Sequence, residues 1–278
     1  MLKEKMHVAV PTAFGLHEVL EMPKTINHIK LLYDKGVKSV LVGGTTGEQH
    51  SLSLEEKLDI LEAIEKESEL TKDMEIIMGV SSIRQKDAEK LATKINGSSI
   101  SAIMLGYPPY IIPSQEEALS YSERIIKLAG KPAILYNNPK RTGFDLSAES
   151  IITLSGNELV IGIKDPGDRD KMEILTKEIK GDFLFYAGGE IGLEDKISWG
   201  YNRLSSIAGN LYPEEVKSWF EKLILNDSVP EEDAIVLEEI RNEIFQGNAI
   251  FNIKKTLADN YDEAWLCRSP IGNRGIIQ

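Results

Sequence analysis

The chain holds one cysteine in 278 residues. Cys267 therefore has no partner for an intrachain disulfide, a usage that suits a reducing compartment. No nucleophile motif surrounds it in Trp265-Leu266-Cys267. Histidine is almost as scarce. His7, His17, His28 and His50 are scattered through the first fifty residues, at none of the spacings that metal sites use, so no metal site is expected. No apolar run is long enough to span a bilayer. The start, Met1-Leu2-Lys3-Glu4-Lys5, lacks the apolar stretch of an export signal, and a cytoplasmic location is the expectation. Basic charge is in deficit: 32 Lys and Arg stand against 44 Asp and Glu, a net charge of -12. Such an acidic surface argues against nucleic-acid and anionic-membrane partners, but not against a small anionic substrate in a locally basic pocket.

What is present is an ordinary globular balance, 42% hydrophobic and 27% charged. Short apolar, β-branched runs recur about every thirty residues, at 7–11, 39–43, 74–80, 102–105, 133–136, 160–163, 182–186 and 204–207. Continuous rather than alternating runs suit strands buried on both faces of a parallel sheet. Amphipathic stretches separate them. Ser53-Leu54-Glu55-Glu56 and Ser114-Gln115-Glu116-Glu117 are capping boxes that predict helices over 54–66 and 115–129. Ser147 caps the next segment, and Pro213 with Glu214 and Glu215 opens another. Eight strand–helix alternations predict an α/β fold of the (β/α)8 TIM-barrel type over 1–225. Helices over 231–245 and 249–261 predict a C-terminal helical appendage within 226–278. A doubly wound sheet is the alternative, but the first strand runs into Pro11-Thr12-Ala13-Phe14 and not into a phosphate-binding glycine loop.

Barrel enzymes carry their chemistry at the C-terminal strand ends. Those positions hold Gly43-Gly44-Thr45-Thr46-Gly47-Glu48, Tyr107-Pro108-Pro109-Tyr110, Tyr136-Asn137-Asn138-Pro139 with Arg141-Thr142-Gly143, then Lys164, then Gly188-Gly189-Glu190. Burial lowers a lysine's pKa, and a neutral amine attacks carbonyls. Lys164 is thus the expected Schiff-base nucleophile. Side chains alternate along a strand, so Lys164 shares a face with Gly162, and Tyr136 with Ile134. If that face lines the barrel, Tyr136 stands beside Lys164 as a proton shuttle, and Gly162 leaves space beneath the amine. The Gly43–Gly47 stretch offers backbone N–H groups and two hydroxyls to a carboxylate; without a following lysine it is no Walker loop. Taken singly, each residue has a structural reading: a snorkelling lysine, a rim tyrosine, a tight turn, a surface arginine. Their coincidence at strand ends, in order, makes the functional reading.

Together these residues resemble the dihydrodipicolinate synthase / N-acetylneuraminate lyase family of class I aldolases. The resemblance implies that Lys164 forms a Schiff base with pyruvate or another 2-oxo acid, without metal or organic cofactor. It makes Tyr136 the proton-transfer tyrosine, Thr45 its relay and Thr46 a pyruvate-carboxylate ligand. Gly188 and the backbone of Ser205 fall at substrate-binding positions. It places Tyr110 where the synthases reach into a neighbouring subunit, implying a homodimer or homotetramer. Arg141 resembles the arginine that holds aspartate semialdehyde. That favours the synthase of lysine biosynthesis, which makes 4-hydroxy-tetrahydrodipicolinate, over an N-acetylneuraminate-lyase-like aldolase or dehydratase. The departures at Asp165-Pro166, Arg203 and Ser205 keep another aldehyde acceptor open, and a non-catalytic small-molecule-binding paralogue is the reading from a different class.

Overall fold

The computed structural model describes residues 2–272. Its strands follow the apolar runs: β1 (Met6–Ala9), β2 (Ser39–Val42), β3 (Glu75–Val80), β4 (Ala102–Gly106), β5 (Ala133–Tyr136), β6 (Val160–Asp165), β7 (Leu184–Gly188) and β8 (Arg203–Ser206). They lie in chain order and close into a barrel, which excludes the doubly wound alternative. Both faces of these strands are shielded from water, as the continuous runs require. The helices are α1 (Met22–Asp34), α2 (Leu54–Glu65), α3 (Ser68–Asp73), α4 (Gln85–Ile95), α5 (Gln115–Ala129), α6 (Pro139–Thr142), α7 (Ala148–Ser155), α8 (Arg169–Glu178), α9 (Leu193–Ser198), α10 (Pro213–Leu225), α11 (Glu231–Phe245) and α12 (Ala249–Tyr261). Both capping boxes form, with reciprocal Ser53–Glu56 and Ser114–Glu117 bonds. Pro213 sits in the first turn of α10.

Two compact units divide these elements. The first joins residues 2–5 to Glu75–Ser205, so it holds β3 to β7 and most of β8. The second joins Met6–Met74 to residues 206–272. Within the second, the segment predicted as an appendage is tied to the chain's beginning. Leu266 and Phe14 share an antiparallel bridge. The His28 ring is hydrogen-bonded to Tyr261 Oη and to Asn210 Oδ1, each at 3.0 Å. Asn210 in turn donates to the Ala9 carbonyl at 2.9 Å. Burial pushes the His28 imidazole down to about 4, so it is a neutral strut at physiological pH. Met1 and residues 273–278 of the predicted region lie outside the described residues.

A β-bulge decides what faces what in the first unit. β5 pairs with β6 as Ala133↔Val160 and then Ile134↔Gly162, so the register shifts by one residue at Ile161. Continued unshifted, the pairing would set Tyr136 against Ile163. The shift sets it against Lys164, a local re-aiming typical of bulges near active sites. The expected space beneath the lysine is not there. A Cβ on Gly162 would stand 2.4 Å from the Leu184 carbonyl oxygen and 2.8 Å from Leu184 Cβ. Gly162 is a glycine because β7 fills its side-chain position. Gly162→Ala must push β6 from β7, and overpacking of this kind costs ~1–3 kcal/mol. Thermal melting should therefore fall by about 2–4 °C per kcal/mol lost. An unchanged Tm would mean that the strands separate freely here.

Candidate active site

Lys164 projects from β6 and is 8% exposed. Its neighbours in register are Tyr136 on β5 and Tyr186 on β7. Its Nζ lies 4.9 Å from the centroid of the Tyr136 ring. Burial lowers its pKa from the ordinary lysine value, opposed by the Tyr136 and Glu190 charges. The structure thus brings together a dry amine and a phenol, the pair that carbinolamine chemistry uses.

The turn after β5 fixes the phenol. Asn138 Nδ2 donates to Tyr136 Oη at 2.9 Å. Asn137 is wholly buried and spends both amide hydrogens on carboxylates, Asp165 Oδ2 at 2.9 Å and Asp145 Oδ1 at 2.8 Å. Its own oxygen accepts from Leu146 N at 3.0 Å. Asp165 also accepts from Gly167 N at 2.9 Å and from Tyr201 Oη at 3.3 Å. These bonds clamp the ends of β5 and β6 together, one residue beyond Tyr136 and Lys164. They account for Asp165, whose carboxylate is a buried, hydrogen-bonded strut; they do not account for Pro166. Arg141 was expected in a loop and instead lies on the single turn α6, exposed to solvent. Proline at the first position pre-sets that turn.

Gly188 closes β7 opposite Ser205 of β8, which is fully buried. A Cβ on Gly188 would stand 3.0 Å from the Asp165 carbonyl oxygen, so the strand ends approach too closely for a side chain. β7 ends two residues later than the sequence implies, because its last residues are small and carry no strand signal. Glu190 is buried just past it. Lys196, on the helical turn α9, is also buried; nothing in the sequence separates it from a surface lysine. Tyr110 is not gathered with Lys164 by its own chain. It is 92% exposed with φ at 74°, between β4 and α5, and Ile111 and Ile112 beside it are exposed too.

Thr45 and Thr46 belong to the second unit. They follow β2 in a tight loop closed by Glu48 N to Thr45 O at 3.0 Å and Gln49 N to Gly44 O at 3.2 Å. Gly43 takes φ of 60°, the left-handed region that glycine tolerates. Thr46 is buried. Cys267 is excluded as a nucleophile, since burial pushes its thiol up to about 12. Among the described residues no helix is long and apolar enough to cross a membrane.

Residues 3–274 match the sequence profile of the Dihydrodipicolinate synthetase family. A 4-hydroxy-tetrahydrodipicolinate synthase from Staphylococcus saprophyticus is 30% identical over 220 residues, 78% of this chain and 74% of its own. One from Ligilactobacillus salivarius is 27% identical over 82% of this chain and 81% of its own. Among solved structures, a dihydrodipicolinate synthase from Bacillus anthracis superposes with TM-score 0.85 at 25% identity, covering 96% of this chain and 92% of that one. One from Aquifex aeolicus gives 0.87 at 21% identity, covering 98% and 92%.

Proposed function

Because the chain belongs to the dihydrodipicolinate synthetase family, we propose that it is a class I lyase that condenses pyruvate with an aldehyde through a Schiff base on Lys164. The observation that carries this reading is the dry Lys164 amine facing the Tyr136 ring. The neutral amine adds to the keto carbon of pyruvate, and the carbinolamine loses water to give an imine. Tyr136 moves the protons of both steps. Loss of a methyl proton gives an enamine, whose carbon attacks the aldehyde, and hydrolysis of the new imine frees Lys164. Thr45 as relay, Thr46 as carboxylate ligand, and Gly188 and the Ser205 carbonyl as substrate contacts complete the assignment by the family's pattern.

Aspartate semialdehyde is the proposed acceptor; once Lys164 is freed, the acceptor's own amine condenses with the keto carbon and loses water, closing the ring of 4-hydroxy-tetrahydrodipicolinate for lysine biosynthesis. The names of the relatives and the position of Arg141 support it. A guanidinium fork suits a carboxylate. The exposed Tyr110, Ile111 and Ile112 support a homodimer or homotetramer in which a second subunit covers Tyr110.

Borohydride reduction in the presence of pyruvate, followed by peptide mass spectrometry, tests the reaction. The adduct mass is expected on the peptide that contains Lys164; a label elsewhere, or none, supports the binding paralogue. Arg141→Ala tests the acceptor. Loss of a charge-assisted contact worth about 1.5–3 kcal/mol should lower kcat/KM for aspartate semialdehyde roughly tenfold to a hundredfold. An acceptor that this variant uses as well as the wild type does is not held by Arg141.

A further inference from the structure

The reaction above leaves Lys196 without a task. Its side chain is 6% exposed. The stem runs along Gly167, where an added Cβ would stand 2.9 Å from Lys196 Cε. Its Nζ donates to the Gly189 carbonyl at 3.4 Å, long for an ammonium. Gly167 lies three residues past Lys164, and Gly189 one past Gly188. The ammonium therefore sits where β6 and β7 end, on the rim from which Lys164 projects.

A buried cation usually has an ion pair. Among the described residues no carboxylate comes within ion-pair distance of Lys196; Glu190 and Asp165 act on it only from farther off. Asp165 is already spent on Asn137, Gly167 and Tyr201. Burial, with the charges of Lys164 and Lys140, lowers the Lys196 pKa against the pull of Glu190 and Asp165. The chain thus relieves the cost of holding this amine dry only through one long bond and two carboxylates out of contact, and an anion in contact is what would relieve the rest. Cut off from solvent, such a contact is stronger than one made by the exposed Arg141.

We propose that Lys196 is a second anchor of the active site, holding an ionised group, carboxylate or phosphate ester, on the substrate's carbon chain beyond the keto carbon that Lys164 attacks. This rests on the reading of Lys164 as the Schiff-base lysine. A merely structural lysine would fill the gap between the β6 and β7 loops without regard to substrate charge.

The test compares wild type, Lys196→Met and Lys196→Arg with pyruvate and three aldehydes: succinic semialdehyde, glyceraldehyde 3-phosphate and neutral glyceraldehyde. In Lys196→Met the ratio of kcat/KM for an anionic aldehyde to that for glyceraldehyde should fall at least about tenfold, mainly through KM, the size of a lost charge-assisted bond. Lys196→Arg should recover part of it. The anionic aldehyde whose ratio falls more identifies the group held. A ratio that does not move, or a Tm loss with equal decline for all three aldehydes, overturns the proposal. Borohydride labelling of Lys164 is followed in each protein. A labelled Lys164 with an unmoved ratio removes the Lys196 anchor alone, whereas an unlabelled Lys164 in wild type removes the lyase reading and this proposal with it.

Discussion

Lys164→Met protein is expected to lose the pyruvate adduct and about a thousandfold or more of its condensation rate, while melting no lower than wild type. The rate loss follows from removing the proposed nucleophile, since no step of covalent catalysis would survive it. The stability result follows from the same burial that makes the amine reactive. Burial in the folded chain holds the Lys164 pKa below the ordinary lysine value of 10.5. Between that lowered value and 10.5 the unfolded chain carries a proton that the folded chain does not, so stability rises with pH across this window. Below the window the full cost of a buried ammonium is borne. Methionine abolishes that cost. The Tm advantage of the variant should be largest at low pH and vanish as pH approaches 10.5. Reductive labelling of wild type should likewise reach half its maximum rate below pH 10.5. A variant that melts well below wild type at neutral pH would mean that stabilising contacts hold the amine as an ammonium, not as a neutral nucleophile.

The barrel was legible because each strand is an apolar run buried on both faces, and two helices announce themselves by capping boxes at Ser53 and Ser114. The ends of β6 and β7 were less so. Lys164 and Asp165 are polar, and Gly188 carries no strand propensity, yet all three lie within the ladder. The placing of Lys164 beside Tyr136 was read from side-chain alternation, but the bulge at Ile161 that produces it has no sequence signal. Gly162 was misread for a related reason. A glycine tells that a side chain is excluded, not whether cavity or neighbouring backbone excludes it. Lys196 could not be found at all, because a lysine on a short polar helix looks solvated until the loops at Gly167 and Gly189 are folded over it. The tie between the chain's two ends, through Glu48, Lys254 and Arg268, pairs residues more than two hundred positions apart, which local pattern cannot report.

That tie supports the second large prediction. Lys254→Ala should lower stability by ~3–5 kcal/mol, because it strips the cation from a buried carboxylate. Glu48 and Lys254 are both wholly buried and form an ion pair. Lys254 also donates to the Leu266 carbonyl at 2.9 Å and stands 4.4 Å from the Phe14 ring centroid. With Lys254 gone, Glu48 keeps the Arg268 amide at 2.9 Å and the Cys267 side chain, but among the described residues no buried side-chain cation in contact. Tm should fall by roughly 6–20 °C for a chain of this size. The double variant Glu48→Leu with Lys254→Met should regain most of that loss, since well-packed apolar residues replace buried ion pairs at little cost. Function separates from stability here. Glu48 takes a left-handed φ of 55° directly after Thr45-Thr46-Gly47, so the ion pair pins the end of that loop. If Thr46 holds the pyruvate carboxylate, Lys254→Ala assayed well below its Tm should raise KM for pyruvate before it lowers kcat. The double variant, stable but without the anchoring carboxylate, should keep the raised KM. Recovery of KM along with Tm would show that the loop holds its shape without Glu48, and a single variant that melts within about 2–4 °C of wild type would show that the buried pair contributes less than 1 kcal/mol.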